Sequence, residues 1–197
     1  MSQKEATRQR GRPAAASRED LIDAGLYRYL RGQRVDVQAI AAEIGIGRAT
    51  VYRWFGSRDN LIGEVVIRAT EPVLMQARSG LKGKGGPGLL DTFDRFNRAL
   101  ADAPALRAFV EQERDAALRL IASGAGILQP RIVELITDLI VEEAEAGTYE
   151  PPVEPAILGY AIVKLAQAFL FNDTVAGIRG DVDRLREVEA ALLGVPA

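Results

Sequence analysis

Between Arg48 and Phe55 the chain gathers, within one short segment, the groups that a nucleic acid demands of a protein. Arg48 and Arg53 bring guanidinium donors, Thr50 and Tyr52 bring hydroxyls, and Tyr52 and Trp54 bring aromatic faces. Such groups pair with phosphate oxygens and with the donor and acceptor edges of bases. Val51 and Phe55, four apart, fall on one side of a helix and can face inward. Gly45 and Gly47 give a turn its conformational freedom just before this helix. After it, Ser57 offers an N-cap with Asp59 in the following first turn, and Arg58 places a cation at that helix start. Taken singly these residues have plainer roles. Tyr52 could be half-buried core, Trp54 could cover a hydrophobic seam, and Arg48 and Arg53 could be solvated charges. A glycine turn, a basic aromatic helix and a capped cationic helix start together suit a DNA major groove.

Other chemistries are poorly supplied. The 197 residues contain no cysteine and no histidine. That removes disulfides, thiolate chemistry, the commonest metal ligand and the commonest general base. Carboxylate-only metal sites remain open, but no metal or cofactor is expected. The acidic run Glu142, Glu143 and Glu145 reads as a solvated helix face, so an enzyme is the weaker rival. Gly80 to Gly88 is rich in glycine but lacks the Gly-Lys-Ser/Thr ending of a phosphate loop and follows no strand, so it reads as a flexible loop.

Net charge is −2, unevenly spread. Residues 1–60 hold eleven Lys/Arg against seven Asp/Glu, or +4, and residues 61–197 hold fourteen against twenty, or −6. A basic head on an acidic body presents one end to phosphate. The start of the chain is polar and basic without an apolar core, so no signal peptide is expected. The longest apolar run, Ala156 to Leu170, carries Lys164 and Gln167 and is too short for a membrane span. A cytoplasmic protein with no membrane partner is expected.

The elements that must position these groups are all helical. Residues 1–16 read as a basic arm, disordered until DNA is present. Within it, Arg10-Gly11-Arg12-Pro13 fits either a minor-groove-reading arm or a solubilising tail. Ser17 with Asp20 signals a first helix reaching about Gly32, with Ile22, Leu26, Tyr29 and Leu30 on one face. Asp36 opens a second helix whose Val37, Ile40, Ala41 and Ile44 point inward. With the 48–55 helix this makes a three-helix unit over residues 17–60. A long helix follows from Ser57 to about Ser79, and Pro72 predicts a kink or break in it, or an end at Glu71. Further helices are expected over 89–100, from Pro104 to about Ile121 with Leu118 among its apolar positions, and over 130–146. Another runs from Pro155 to about Val175, and a last one from Asp181 to Leu193, with Val182, Leu185, Val188 and Leu192 inward. The helix after Pro155 is apolar nearly all round, which implies burial in the domain centre or against a second chain.

Ile40-Ala41, the Gly45-Ile46 turn, Ala49-Thr50-Val51-Tyr52, Phe55 and Ser57-Arg58-Asp59 with Leu61 resemble the DNA-binding signature of the TetR family of bacterial transcriptional regulators. Gly47 stands where that family usually has Ser or Thr, and Arg58 where it usually has Lys. The resemblance implies an all-α fold, with a helix-turn-helix DNA-binding domain (17–60) joined to a helical ligand-binding and dimerisation domain (61–197). It implies DNA contacts from Arg48, Ala49, Thr50, Tyr52, Arg53, Trp54 and Arg58, joined by Arg10 and Arg12 of the arm. It also implies a homodimer built on helices 130–146 and 156–175, with a long 57–79 helix linking head to body. Two recognition helices about 34 Å apart can read a palindrome.

In the body, the expected wall of an effector pocket is Met75, Phe93, Phe96, Phe109 and Phe169, with Gln129, Gln167, Asn172 and Asp173 as polar anchors. Few polar groups in an apolar wall suit a small, mostly apolar effector. The run from Phe169 to Asp173 and the Leu192-Leu193-Gly194 ending look similar to the lactone-responsive, QsdR-type subgroup of that family, making a lactone the first expectation. The function expected is a repressor released by its effector. The alternatives are a constitutive DNA-binding protein with a filled core and a small helical enzyme.

Overall fold

A computed structural model describes residues 16–81, 83–122, 126–171 and 181–197, except the Ala122 side chain. The described residues form α1 (Arg18–Leu30), α2 (Val37–Glu43), α3 (Arg48–Phe55), α4 (Arg58–Arg78), α5 (Gly85–Asp102), α6 (Pro104–Gln112), α7 (Arg114–Ala122), α8 (Leu128–Glu145), α9 (Pro155–Phe171) and α10 (Val182–Leu193), with no strand among them. The chain is all-helical. Arg10 and Arg12, like Asn172 and Asp173, lie outside the described residues.

Local chemistry starts the head helices. Ser17 Oγ accepts from the Asp20 amide at 3.2 Å, and Asp20 Oδ2 accepts from the Ser17 amide at 2.7 Å, a reciprocal box that satisfies two donors. The Ser17 backbone bond holds the Asp20 carboxyl below the usual carboxylate range. Asp36 Oδ1 takes the amides of Gln38 and Ala39 at 3.0 and 3.1 Å, and Ser57 Oγ takes that of Asn60 at 3.0 Å. Gly45 sits at φ +78° between α2 and α3, a conformation in which an L side chain would be strained.

Two cores follow. Leu21, Ile22, Ile40, Val51, Leu61, Ile62 and Val65 pack the head, and Leu106, Phe109, Leu120 and Leu128 of α6–α8 join the same cluster. The head is therefore clamped to the body through shared apolar packing. The second core brings Leu74, Leu89, Phe93, Ile136, Ile140, Leu158, Ile162 and Leu193 together. α9 lies tightly on α8 at Gly159, where a Cβ would come within 3.3 Å of the Thr137 backbone.

Several expectations are corrected. α4 runs unbroken through Pro72, so the proline ends nothing. Thr70 Oγ1 donates to the Val66 carbonyl at 2.8 Å in the turn before it. Gly85 to Gly88 belong to α5 and not to a loop. They are packing glycines: a Cβ at Gly85 would stand 2.3 Å from the Thr148 carbonyl oxygen, and one at Gly86 would stand 2.5 Å from Val195. The segment after Pro104 is two helices, broken at Glu113. Leu30 ends α1 turned off its buried face, and Leu118 and Val188 are exposed too. In α10 the buried stripe is Leu185, Glu189 and Leu193, spaced by four, which leaves Val188 at its edge. The 130–146 helix begins at Leu128, and the 156–175 helix is described only to Phe171.

Candidate DNA interface and effector cavity

α3 divides cleanly. Val51 and Phe55 are buried in the head core, while Arg48, Ala49, Tyr52 and Arg53 are exposed. Trp54 is half-buried and packs against that core, so the seam-covering role is the one its position supports. Thr50 is half-buried beside the exposed face. Arg48 lies over the Tyr52 ring, 5.3 Å from its centroid, and reaches the phenol oxygen at 3.3 Å. The pair is spaced one turn apart, so each side chain limits the other's rotamers before any ligand arrives. Gly47 caps α3 without a side-chain bond.

The polar lining of a groove between α2 and α3 is Arg34, Asp36, Gln38, Arg48, Tyr52 and Arg58, with Asp36 taken up by the α2 cap. Arg34 and Gln38 escape the sequence reading, because neither lies in the signature segment. Three arginines around one groove suit a phosphate backbone. Two of them are already engaged. Glu113, at the break between α6 and α7, accepts from Arg58 Nη2 at 2.6 and 2.7 Å and from Arg34 Nε at 3.1 Å. Its side chain is only 7% exposed. Arg119 of α7 pairs with Asp59 at 3.2 Å, and Gln112 Nε2 donates to the Gly32 carbonyl at 2.8 Å. The α6–α7 joint is thus bonded to the very part of the head that carries the cationic groove.

The body holds a cavity walled by α4, α5, α8, α9 and α10, with Leu106 of α6 and Ile121 of α7 on its head side. Phe93, Phe96, Gln129 and Gln167 line it, as do Leu170 and Phe171. Met75, Phe109 and Phe169 do not. Met75 follows the buried Leu74 by one residue and so turns about 100° to solvent. Phe109 is buried elsewhere, its ring 6.0 Å from that of Tyr29. The cavity volume is about 80 Å³, a narrow space. Asn97, Thr70 and Glu189 also line it, and the sequence reading misses them. A charged residue four positions from Leu185 and from Leu193 is the available signal for Glu189. No described helix is long and apolar enough to cross a membrane.

A family model described as "Bacterial regulatory proteins, tetR family" matches residues 31–65, and another, "Tetracyclin repressor-like, C-terminal domain", matches residues 84–194. A structure described as that of the R. erythropolis transcriptional repressor QsdR from the TetR family is 29% identical. It superposes with a TM-score of 0.84 over 91% of this chain and 95% of that one. The TetR-family regulator PfmR from Thermus thermophilus is 17% identical over 92% of this chain and all of that one, with a TM-score of 0.44. Among curated proteins, no sequence matches significantly.

Proposed function

The chain belongs to the TetR family of bacterial transcriptional regulators, and from that premise we propose that it is a cytoplasmic repressor released by a small effector. As a homodimer it binds a palindromic operator, one α3 in each of two successive major grooves. The observation that carries this reading is the division of α3, with Arg48, Tyr52 and Arg53 outward over a buried Val51–Phe55 face. Tyr52 and Thr50 contact phosphate or base edges, Arg48 and Arg53 phosphate or guanine, and Arg58 phosphate. Arg10 and Arg12 reach the minor groove. The similar QsdR structure, described as a repressor and matching along nearly its whole length, supports the same sense of regulation. A second chain is supported by Ile157 and Tyr160 of α9, which are exposed in the single chain together with nearby Val153.

The effector is small and mostly apolar, a lactone being the first candidate. An effector larger than the narrow cavity must displace its walls, and Leu106 and Ile121 stand on the two helices whose joint carries Glu113. Displacing that joint changes what Arg58 and Arg34 bond to and how α4 sets the head. The effector acts only to the extent that it binds the two arrangements unequally. The protein does no catalysis in this reading.

Gel shift with the DNA upstream of its own gene, across a salt series and with a lactone panel, tests the proposal. Selective binding abolished by a lactone is the expected result. Selective binding indifferent to every compound would leave a constitutive DNA-binding protein, and binding no stronger than to random DNA would end the α3 argument. Tyr52→Ala should weaken operator binding about tenfold while the dimer stays intact. Loss of the dimer in size-exclusion chromatography would make Tyr52 structural instead.

A further inference from the structure

Glu189 has no exposed surface and lines the cavity, where one amide answers it: Asn97 Nδ2 donates to its two oxygens at 3.0 and 3.2 Å. A carboxylate placed among Phe93, Phe96, Ile162 and Leu100, with no ion pair among the described residues, is costly, and the usual remedy is to hold a proton. The charged groups around it do not change that balance. Asp94 of α5 disfavours ionisation and Arg186 of α10 favours it, but Arg186 is already shared between Asp91 at 2.9 Å and Asp94 at 3.7 Å. On α9, Lys164 donates to Gln129 Oε1 at 2.9 Å and Gln167 Oε1 at 3.3 Å. From α4 the polar neighbour is Thr70, whose hydroxyl donates to the Val66 carbonyl.

What the cavity offers a guest is therefore biased towards donors. Gln129 and Gln167 turn their oxygens to Lys164 and keep amide N–H groups to give. Glu189, once protonated, has an O–H to give while its other oxygen accepts from Asn97. We propose that Glu189 is the effector's polar anchor, donating its proton in a hydrogen bond to the carbonyl oxygen of a neutral, otherwise apolar ester, lactone or amide. Asn97 is the positioning residue that fixes the carboxyl. Burial pushes the Glu189 carboxyl up to about 7. Binding of a carbonyl compound is then linked to its protonation, with affinity full below 7 and lost as pH rises above it.

This inference rests on the effector reading above, and the experiment separates the two. Calorimetric titration of the full-length protein with γ-octalactone, octanamide and octylamine is run from pH 6 to 8.5. The same titrations are made on Glu189→Gln and Glu189→Leu, with operator binding as the folding control. The expected result is carbonyl-compound binding that weakens by about tenfold per unit above pH 7 in the parent protein. Glu189→Gln, which keeps an N–H donor, should bind independently of pH, and Glu189→Leu should bind at least tenfold more weakly. Lactone binding indifferent both to pH and to Glu189→Leu would overturn the anchor while leaving the effector reading standing. Octylamine binding that strengthens with pH would overturn the carbonyl class and make Glu189 a carboxylate for a cation. No binding of any probe by a protein that still holds its operator would overturn the effector reading itself. The parent protein's pH profile needs no variant to fold.

Discussion

Glu143, which the sequence places on a solvated face but which the fold buries, and Glu189 are both nearly inaccessible, at 4% and 0% exposure, yet the two regions treat their carboxyls in opposite ways. Around Glu143, the seam of α4, α5 and α8 converges three kinds of donor. Arg78 pairs with one oxygen, while the Gly85 amide and the Thr148 hydroxyl each reach the other at 2.5 Å. Burial by itself would raise this carboxyl, but those bonds from Thr148, Gly85 and Arg78 hold it below the usual range. Around Glu189 the described residues supply one amide, that of Asn97, and burial wins. A buried charge with both oxygens answered by donors ties elements together. A buried acid left half-answered, beside open space, is poised to meet something else.

The comparison breaks most visibly at Glu143. Glu143→Ala leaves Arg78 without its partner and the Gly85 amide without an acceptor, and should cost about 3–5 kcal/mol, read in thermal or urea unfolding. A loss under about 1 kcal/mol would mean that the seam is held by its apolar contacts alone.

The pH slopes sharpen it next. Glu143 has a depressed folded-state pKa, so its contribution is present above the unfolded value of about 4.5 and disappears as pH falls further. Glu189 is raised to about 7, so the folded state holds an extra proton between about 4.5 and 7. Stability should decline across that window as pH rises and level off beyond it. Glu189→Gln should remove the decline and leave the protein about 1–3 kcal/mol more stable than the parent at pH 8. Unfolding midpoints at pH 5, 6.5 and 8 decide it, and parallel curves for the two proteins would refute the assignment.

A third carboxyl extends the contrast to the head. Glu113 has two arginine partners, but both border the groove in which phosphate is expected. Glu113→Gln should release Arg58 and Arg34 to DNA, raising operator affinity about threefold and steepening the salt dependence by about one counterion. This is the smallest effect, because the joint stays held by Arg119–Asp59 and Gln112. Unchanged affinity and salt slope would show that neither arginine meets phosphate.

What can be read from the sequence is what neighbouring residues decide among themselves. The caps at Ser17, Asp36, Ser57 and Asp181, the turn at Gly45 and the two-faced α3 are all settled within a few positions. The readings that fail concern partners far along the chain. Gly85 to Gly88 have loop composition, and only their packing against Thr148, Tyr149 and Val195 makes them a helix start. Arg58 keeps its proposed place at phosphate, but nothing within α4 foretells its bond to Glu113, 55 positions away. Phe93 and Phe109 are indistinguishable as apolar helix residues, although one faces a cavity and the other a solid core. Glu189 hides because a face of Leu185, Val188 and Leu192 is as plausible by periodicity as the observed one, and it turns the acid outward.

Pro72 gives α4 a mechanical property beyond its role as a connector. Having no amide hydrogen, it leaves the Arg68 carbonyl without its helical partner, so the rod is most compliant at that point. Arg58 stands fourteen residues away, roughly 21 Å along the axis. Bending by about 5° at the proline would sweep Arg58 and the attached α3 sideways by about 2 Å, enough to misplace hydrogen bonds that tolerate only tenths of an ångström. A spring of this kind would let the proposed effector act on DNA by leverage, without unfolding anything in between.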